Sequence, residues 1–389
     1  MARKALIFSL AYYPHLVGGA EVAVKEITDR ISPDEIEFDM VTLYAGESRF
    51  ERIGNVNVYR VGPHIRLRGT TVPSISYIIK FQYIALAFIK SLWLHRKRSY
   101  DFTWSVMASF NAFSALFFKW VHPRVPFFLN LQEGDSIEHI KKSLGIMYPL
   151  YVKIFKKVDY IQAISNFLAQ YGKNMGATCP VTVVPNGVDF TFFSQIPPAS
   201  QVKALEHELA LDPFDTVLIT TSRLVQKNGV ADIIDAMTYL PEQTKLLILG
   251  TGPLEKFLKE KTELLGLSSR IRFAGFVPHR EFPLYLRASN IFIRPSLSEG
   301  MGVSFLEAMA AGLPVIATPV GGIPDFLKDG ETGLFCEVEN PESIARQIET
   351  IMKDRELREK LIKNAREMVK TKYDWGLIVR DMKGIFDLL

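Results

Sequence analysis

Short apolar runs alternate with longer amphipathic segments along the 389-residue chain. Apolar runs of about four to eight residues between turn residues indicate buried strands, whereas longer segments with helical periodicity indicate helices. In the first half we predict strands at Ala5–Ser9, Phe38–Leu43, Asn57–Val61, Phe102–Val106, Phe127–Leu131 and Tyr160–Ile164. A further strand with a tight turn is predicted in the segment 182–189. Helices are expected at Ala20–Ile31 and Ile75–Leu94. This alternation predicts a parallel sheet with helices on both faces.

The same alternation restarts in the second half, after a linker and a short helix at residues 191–215. The predicted strands and helices are Val217–Thr221, Gly229–Met237, Lys245–Leu249, Leu254–Leu265, Ile271–Ala274, Ile291–Ile293 and Val315–Ala317. We therefore predict an α/β chain of two Rossmann-like, doubly wound domains that face each other across a cleft. The predicted domains are residues 1–195 and 196–372, followed by a helical segment at 373–389.

Composition narrows the class of protein. Hydrophobic residues make up 48% of the chain, which excludes a disordered protein. A net charge of +4 and a pI near 8.8 are mild for a nucleic-acid-binding protein, so no nucleic acid partner is predicted. Residues 1–190 carry 22 Lys and Arg against 15 Asp and Glu, or +7, which leaves −3 for the remainder. This basic half favours an anionic partner such as a membrane surface, although scattered solvated charge explains it equally well.

The cysteines and the N-terminus bear on the cellular compartment. Cys179 and Cys336 lie far apart, so they indicate neither a disulfide framework nor a Cys-based metal site. The short apolar run at the start is interpreted as a first buried strand rather than as a signal peptide. We expect a cytoplasmic protein, with peripheral binding to the inner face of the membrane as one hypothesis.

The apolar segment Ile75–Leu94 has more than one interpretation. Its length could just span a bilayer, but Lys80 and Lys90 lie inside it, where charge is costly. We favour a helix buried on the sheet. A helix in the membrane interface is the second interpretation, because a basic run at 95–98 follows and aromatic residues lie within the segment. Three lysines could extend such a surface: Lys153, Lys156 and Lys157.

The segment 294–325 carries the most informative pattern, RPSLSEGMGVSFLEAMAAGLPVIATPVGGIPD. Two carboxylates, Glu299 and Glu307, flank the tripeptide Gly300-Met301-Gly302 and the start of a predicted helix. A glycine-flanked loop that enters a helix leaves backbone N–H groups free to hold an anion. Carboxylates accept hydrogen bonds from sugar hydroxyls. The segment therefore predicts a pocket for a phosphorylated sugar or a nucleotide.

Two further groups follow predicted strands, at the sheet edge where ligands collect. Gly18 and Gly19 precede a helix and permit close approach of the backbone to a phosphate or sugar, or they form an ordinary turn. Arg223 and Lys227 could clamp a diphosphate and neutralise the charge of a leaving group. For an isolated pair of this kind, a solvated basic loop is the favoured alternative.

Another two groups are a glycine turn and an acidic turn. Gly250 and Gly252 line a strand end, or they form an ordinary tight turn. Glu133 and Asp135 could orient a hydroxyl of the acceptor or act as a base. The alternative is that Asp135 or Ser136 caps the following helix.

The histidines show no metal-ligand spacing. His122, His139 and His279 each stand alone, and an isolated histidine is more often a surface or structural residue than a ligand. We therefore predict no tightly held catalytic metal.

Taken together, these segments resemble a known enzyme family. The long segment above looks like the Glu-x7-Glu donor motif of the retaining glycosyltransferases of family 4, which have the GT-B fold. The segments SRLVQKNG, VPNGVDF, ILGTGP, GGAE and YDW also resemble segments of that family. The resemblance covers nearly the whole chain.

The resemblance implies a metal-independent, retaining hexosyltransferase without a cofactor, which uses a nucleotide-diphosphate sugar, UDP more often than GDP. Glu307 would hold the ribose hydroxyls, Glu299 would lie by the donor sugar, and Arg223 would hold the diphosphate. The first domain would bind a glycan or lipid-linked acceptor, and the C-terminal helix would cross back to it. The expected donor-binding residues are Gly18, Gly19, Asn186, Arg223, Lys227, Gly250, Gly252, Glu299, Gly300, Met301, Gly302 and Glu307.

Two positions depart from the family pattern. Asn228 stands where the family usually has a lysine, and Lys227 is the expected substitute. Gln132 stands where the family often has a histidine, and an amide cannot act as a base. The expected catalytic residues are Arg223, Lys227, Glu299, Glu133 and Asp135.

Three functions fit these residues. The first is the glycosyltransferase. The second is a different enzyme on the same fold, either a sugar-nucleotide epimerase or a phosphorylase, of which the phosphorylase would depend on inorganic phosphate. The third is a non-catalytic protein that binds a sugar nucleotide, an alternative motivated by the departures at Gln132 and Asn228.

Overall fold

The computed structural model describes residues 2–65 and 76–389. The chain divides into two compact units. The first comprises Met1–Asn186 with Trp375–Leu389, and the second comprises Gly187–Asp374. The first division thus falls before the predicted boundary at residue 195.

The start of the second unit explains where this division lies. Asp189 caps the short helix Phe190–Ser194, because its Oδ1 accepts a hydrogen bond from the Phe192 N–H at 2.8 Å. That helix packs against Val303–Ala311 of the same unit. Residues that the sequence pattern assigns to the end of the first domain therefore belong to the second fold.

The strands of the first unit form one sheet. They are β1 (Arg3–Phe8), β2 (Ile36–Ala45), β3 (Phe50–Ile53), β4 (Val56–Ile65), β5 (Phe102–Val106), β6 (Phe127–Leu131), β7 (Tyr160–Ala163) and β8 (Val181–Val183). Their order is β3-β4-β2-β1-β5-β6-β7-β8, and all neighbours are parallel except β3 with β4. The antiparallel edge strand β3 was not predicted, because its FERI sequence is too polar and too short to give an apolar run.

Helices cover both faces of this sheet. They are α1 (Gly19–Asp29), α2 (Tyr77–Arg98), α3 (Phe110–Val121), α4 (Ile137–Leu144), α5 (Tyr148–Lys157) and α6 (Asn166–Asn174). Side chains alternate between faces along each strand. The residues Ala5 and Ile7 pack with α1, whereas the Phe8 ring meets Phe118 of α3 at 6.4 Å between centroids.

The helix predicted at Ile75–Leu94 exists, but only one side of it is buried. Ser76 caps α2, accepting from the Ile79 N–H at 3.5 Å, and the helix continues to Arg98. Residue 75 of the predicted segment lies outside the described residues. The sheet covers one side of α2, while large apolar side chains on the other side are exposed. The favoured interpretation of a helix buried on the sheet therefore holds for one side of α2 and not for its outer side.

The second unit repeats the architecture with a smaller sheet. Its helices and strands are α7 (Phe190–Ser194), α8 (Ala199–Glu208), β9 (Thr216–Thr221), α9 (Val230–Ala236), β10 (Thr244–Leu249), α10 (Glu255–Leu264), β11 (Ile271–Gly275), α11 (Phe282–Arg287), β12 (Ile291–Arg294), α12 (Val303–Ala311), β13 (Val315–Ala317), β14 (Leu334–Phe335), α13 (Pro341–Lys353) and α14 (Arg355–Lys372). The strand order is β11-β10-β9-β12-β13-β14, and all neighbours are parallel. Two α/β units with parallel sheets confirm the predicted fold class.

The last helix, α15 (Trp375–Asp387), belongs to the first unit. Its Phe386 ring lies 5.3 Å from the rings of both Phe102 and Trp104, between centroids. This contact completes the core on the α1 side of the first sheet.

Candidate functional site

The second sheet has a switch in strand order that marks a ligand site. β9 lies between β10 and β12, so the chain winds away from this point in both directions. Doubly wound sheets bind ligands beside the carboxyl ends of their strands at such a point. The loops after β9 and β12 carry Arg223, Lys227 and Glu299. The loops also touch, because the Leu297 N–H donates to the Lys227 carbonyl at 2.7 Å.

The loop after β9 presents Arg223 to solvent. Arg223 is exposed, and within residues 2–65 and 76–389 no carboxylate pairs with its guanidinium. Asn228 is buried beneath it and donates from Nδ2 to the Arg223 carbonyl at 2.7 Å. Gly229 has a φ of +66°, and a Cβ there would lie 2.0 Å from the Pro295 carbonyl oxygen. Asn228, a departure from the family pattern, thus closes the turn that carries Arg223.

The loop after β10 packs on the backbone of the β9 loop. A Cβ at Gly250 would lie 1.9 Å from the Ser222 carbonyl oxygen, and one at Gly252 would lie 2.4 Å from that of Leu224. Close backbone packing therefore requires both glycines and places them beside Arg223. Their predicted contact with a donor stays a prediction.

A buried ion pair orders the loop between β12 and α12. Arg294 is only 6% exposed, and its guanidinium binds Oε2 of Glu299 and donates to Ser304 Oγ at 2.8 Å. The guanidinium also lies 4.4 Å from the centroid of the Phe305 ring. Oε1 of Glu299 accepts from the Gly300 N–H at 3.1 Å. The Glu299 carboxylate is therefore held in one orientation by a partner that the sequence analysis missed, because Arg294 ends an apolar strand.

Gly302 allows this loop to enter α12 next to Arg294. Its φ is +86°, and a Cβ there would lie 2.7 Å from Nη2 of Arg294. No side chain caps α12, which begins at Val303. An uncapped helix N-terminus after glycine supplies N–H donors and a partial positive charge to an anion. Met301 is buried and anchors the loop between the two glycines.

The second carboxylate of the motif, Glu307, has a histidine partner. Oε1 of Glu307 lies 2.8 Å from Nε2 of His279. The rings of Phe192, Phe193 and Phe282 surround the imidazole at centroid distances of 5.2 to 6.3 Å. His279 is isolated in the sequence but pairs with Glu307 in the fold, so the expectation that it stands alone is wrong. No local signal could have revealed the pair, because its partners come from three separate segments.

The Gly321-Gly322 turn supports Glu299 from the other side. The Gly322 N–H donates to the Glu299 carbonyl at 3.1 Å. A Cβ at Gly321, where φ is +57°, would lie 1.8 Å from the same oxygen. The paired glycines thus allow backbone contact with the loop that carries the carboxylate.

In the first unit, Gly18 and Gly19 open α1. The Gly18 N–H donates to Oε2 of Glu21 at 2.7 Å, which fixes the first turn. A Cβ at Gly19 would meet no atom within 4 Å, so the space beside Gly19 is open. The geometry leaves room for an anion there, and the predicted phosphate contact stays a prediction.

Glu133 ends β6 in a buried position rather than at an open surface. Its Oε1 accepts from the Ala108 N–H, and its Oε2 has no hydrogen-bond partner in the described part of the chain. Burial raises the pKa of Glu133 to about 7. That pKa suits proton transfer near neutral pH, but the side chain is covered. Ser136, not Asp135, caps α4, because its Oγ accepts from the His139 N–H at 3.2 Å.

Gln132 and Asn186 join a buried chain of side-chain amides. Asn186 Nδ2 donates to Gln132 Oε1 at 3.0 Å, and Gln132 Nε2 donates to Asn130 Oδ1 at 2.7 Å. Asn130 in turn donates to Gln162. Gln132 therefore connects the ends of neighbouring strands. Asn186 lies in the first unit, at its boundary, while most predicted donor residues lie in the second.

Within 2–65 and 76–389, no cluster of three or more His, Cys, Asp or Glu side chains is arranged to hold a metal ion. Cys179 and Cys336 are free thiols. The expectation of a metal-independent enzyme stays a prediction.

Comparison with known families identifies the class of protein. Residues 203–368 match the family described as glycosyl transferases group 1, and residues 17–192 match glycosyltransferase family 4. The two matches cover most of both units. The chain belongs to the group 1, family 4 glycosyltransferases.

Two relatives extend this result. The chain is 24% identical over 402 residues to an uncharacterized glycosyltransferase of Methanocaldococcus jannaschii, covering 99% of this chain and 98% of that one. It is 25% identical over 247 residues to a GDP-mannose-dependent alpha-(1-6)-phosphatidylinositol monomannoside mannosyltransferase of Mycobacterium tuberculosis, covering 60% and 63%. Both relatives are named as glycosyltransferases.

A solved structure shares the fold. HepE of Anabaena, in complex with UDP-glucose, superposes with a TM-score of 0.80 at 20% identity, covering 99% of this chain and all of that chain. The likeness confirms the GT-B fold.

Proposed function

We propose that this glycosyltransferase is a retaining, metal-independent enzyme that moves a hexose from a UDP-sugar to a glycan or lipid-linked acceptor. One observation carries the proposal. At the switch point of the second sheet, Arg223 is exposed and has no carboxylate partner among the described residues. It shares a loop cluster with the uncapped N-terminus of α12 and two oriented carboxylates. This combination of charges fits a nucleotide-diphosphate sugar.

Arg223 and the N-terminus of α12 would hold the diphosphate. A guanidinium presents paired donors to phosphate oxygens, and helix N–H groups add a partial positive charge. Charge that builds on the leaving diphosphate is stabilised by such fixed groups, which is the part a metal plays in other enzymes. Lys227, half-buried in the same loop, would add a second cation.

Glu307 and Glu299 would bind the nucleoside and the sugar. A carboxylate has about four acceptor sites, so Glu307 can accept from ribose hydroxyls beside its contact with His279. The Glu299 carboxylate accepts from Arg294 and from the Gly300 N–H, and its remaining acceptor sites can receive a sugar hydroxyl. Its ion pair also fixes the loop at the start of α12.

The choice of donor nucleotide rests on two similar proteins, which support different nucleotides. HepE was solved with UDP-glucose, and the mycobacterial relative is named as GDP-mannose-dependent. UDP is our choice, and GDP is the alternative that the experiment must separate. The phosphatidylinositol mannoside in the name of that relative supports a lipid-linked acceptor.

Retention is supported by the resemblance of the donor motif. The bond between C1 of the sugar and the β-phosphate oxygen breaks, and the acceptor oxygen bonds to C1 from the same face. The acceptor proton passes to the departing phosphate oxygen, so the products are the glycoside and the nucleoside diphosphate. This route requires no proton transfer to Gln132, whose neutral amide cannot act as a base.

The first test is thermal shift with UDP, GDP, ADP and their hexose conjugates, each with and without EDTA. A ligand that binds the folded state raises its melting temperature by mass action. We expect a selective shift with UDP and UDP-hexose that EDTA leaves intact. A shift only with GDP compounds would replace the donor, and a shift lost in EDTA would contradict metal independence.

Turnover separates the remaining alternatives. The donor found by thermal shift is incubated with lipid-linked and soluble glycan acceptors, and the anomeric configuration of the product is read by NMR. Product with the configuration of the donor supports the proposal, and an inverted anomer overturns retention. Dependence on inorganic phosphate would indicate a phosphorylase. Donor binding without any product would favour the non-catalytic alternative.

A further inference from the structure

The outer side of α2 carries an apolar stripe, which the exposed Gln82 interrupts. Exposed residues recur at helical spacing along it, at Ile78, Phe81, Ala85, Ile89 and Trp93. Ile78 is 71% exposed, and Ile89 is 61% exposed. By length and composition α2 could cross a membrane, yet only 28% of its most apolar window is buried in the protein. A surface helix of a soluble domain normally presents polar residues on this side, so the stripe requires a partner.

Helix α3 lies beside α2 and widens the apolar surface. The Phe117 ring lies 6.0 Å from Phe88 of α2 and 5.4 Å from Trp120, between centroids. Trp120 and Val121 are exposed at the end of α3. We call the following exposed side chains the outer face: Ile78, Phe81, Ile89, Trp93, Trp120 and Val121.

The charged side chains of these two helices are all cationic. Neither α2 nor α3 contains an Asp or a Glu. The ammonium groups of Lys90 and Lys97 lie 4.0 and 3.9 Å from the centroid of the Trp93 ring. Arg96 is exposed in the last turn of α2. Cations thus border the C-terminal end of the apolar stripe, around Trp93.

Carboxylates near the C-terminal end of α2 are already engaged within the first unit. Glu37 and Asp39 both bind Arg98, the last residue of α2. Asp101, in the connection between the two helices, accepts from the Lys4 N–H at 2.7 Å. The charge that the outer face offers to a partner is therefore positive.

We propose that the outer face docks the protein on an anionic lipid bilayer, with α2 lying in the plane of the interface. The stripe from Ile78 to Arg96 is about 27 Å long at the rise of an α-helix. Its apolar side chains would enter the acyl boundary, with Trp93 at the headgroup level. Lys90, Lys97 and Arg96 would reach anionic headgroups while their stems stay in apolar contact. This inference goes beyond the proposed function, because it does not depend on the donor.

The packing of α2 explains why it lies on a membrane rather than crosses one. Tyr83 is fully buried, and its hydroxyl donates to the Val41 carbonyl of β2 at 2.9 Å. Ser114 of α3 donates to the Ile84 carbonyl at 3.0 Å. A spanning helix would leave these partners and the strands beneath it uncovered, at the cost of both hydrogen bonds and the apolar contacts.

The test is co-sedimentation of the full chain with vesicles. One set is phosphatidylcholine alone, and in the other about a quarter of the lipid is phosphatidylglycerol. We expect binding to the anionic vesicles at low salt and weaker binding at about 0.5 M salt. The triple variant Ile78→Gln/Ile89→Gln/Trp93→Gln should lower the partition coefficient by about a hundredfold or more. Removing two charges with Arg96→Gln/Lys97→Gln should lower it by about thirtyfold.

Matched variants in the second unit control for general effects. Phe257→Gln/Leu264→Gln removes exposed apolar side chains from α10, and Lys363→Gln/Lys370→Gln removes exposed charges from α14. Neither should change vesicle binding. All substituted residues are exposed or half-exposed, and equal melting temperatures would show that folding is intact.

Several outcomes would overturn the inference. These are no binding of the wild-type chain to anionic vesicles, unchanged binding of the triple variant, or bound protein that resists both high salt and alkaline carbonate. The last would indicate a spanning helix. Sedimentation velocity tests whether a second copy of the chain covers the outer face instead. A wild-type protein that is dimeric and a triple variant that is monomeric would assign the face to that second copy. The nucleotide-induced thermal shift of the variants should equal that of wild type, so failure of the docking surface and failure of the proposed function can be told apart.

Discussion

The imidazole of His279 meets the carboxylate of Glu307 at 2.8 Å between Nε2 and Oε1. The Glu307 side chain is 11% exposed, while that of His279 is 58% exposed. The carboxylate is thus mostly covered, with one acceptor already engaged. If ribose hydroxyls bind there, they share Glu307 with His279.

Glu307→Ala should weaken UDP binding by about 10- to 100-fold, because hydroxyl donors lose a charged acceptor. A more specific prediction compares two ligands that differ only in the 2′-hydroxyl of the ribose. Wild type should bind UDP more tightly than 2′-deoxy-UDP, whereas the variant should bind both equally. Isothermal titration calorimetry with the two ligands measures this difference.

Glu263→Ala is the matched control, since Glu263 is an exposed carboxylate on α10. It should leave both affinities at the wild-type values. A Glu307→Ala variant that still prefers UDP over the deoxy compound would remove Glu307 from the ribose site.

Arg223→Ala should weaken UDP binding by about tenfold or more and leave uridine binding unchanged, because only the diphosphate meets the guanidinium. Arg223 is exposed and unpaired in the described residues, so the melting temperature without ligand should not change. Turnover should fall more than donor affinity if the guanidinium acts on the leaving group. Calorimetry and initial rates supply the three measurements.

The control for Arg223 is Arg287→Ala, which removes an exposed guanidinium from α11. It should behave as wild type with both ligands. Equal losses of UDP and uridine affinity in Arg223→Ala would contradict a diphosphate role and indicate a disturbed loop.

Arg294→Met should destabilise the second unit by about 3 kcal/mol or more, because Glu299 keeps its charge in a nearly buried site without its partner. For a unit of this size the melting temperature should fall by about 6 to 12 °C. The double variant Arg294→Met/Glu299→Gln should regain a large part of that loss, since it removes the unpaired charge as well. Differential scanning calorimetry measures both.

The coupling between Arg294 and Glu299 is tested by comparing the two single variants with the double variant. Glu299→Gln alone should cost less than Arg294→Met. If the double variant is as unstable as the sum of the two single variants, the ion pair does not couple the residues, and the loop is held by its glycines instead.

The sequence pattern predicts the strands that form both sheets because their apolar runs are buried on two faces. It misses β3 and β14, which lie at sheet edges and are short. The pattern also predicts the helix at α2 but not which side is covered. An almost fully apolar helix has no polar side that would orient it, so its burial is decided by neighbours distant in sequence.

The candidate site shows the same limit. Arg223, Glu299 and Glu307 are predicted from local motifs at strand ends. Their partners are not predicted, because His279 comes from a separate segment and Arg294 ends an apolar strand, where the pattern does not distinguish it as a functional residue. Asn228 and Gln132 are departures from a family pattern by sequence, and the structure shows the buried hydrogen bonds that each side chain makes.

Glu133 gives the last prediction, a stability that depends on pH. Burial raises its pKa from the ordinary 4.5 to about 7 in the folded protein. Between these two values the folded state binds more protons than the unfolded state, so stability contributed by this group falls as pH rises and is lost above the folded pKa. A shift of this size corresponds to about 3 kcal/mol. Glu133→Gln carries no charge, keeps an acceptor for the Ala108 N–H and should escape this loss.

We therefore expect Glu133→Gln to melt at about the wild-type temperature near pH 5 and up to about 6 to 12 °C higher near pH 8. Thermal melts of both proteins across this pH range give the difference in melting temperature. Groups that titrate alike in the two proteins do not contribute to that difference. Glu138→Gln, at an exposed position on α4, should show no such divergence. If the Glu133→Gln and wild-type melting temperatures stay parallel with pH, Glu133 is ionised throughout the range. The carboxylate would then have to be stabilised as an anion, through the Ala108 N–H or another donor, and could not hold a proton near neutral pH.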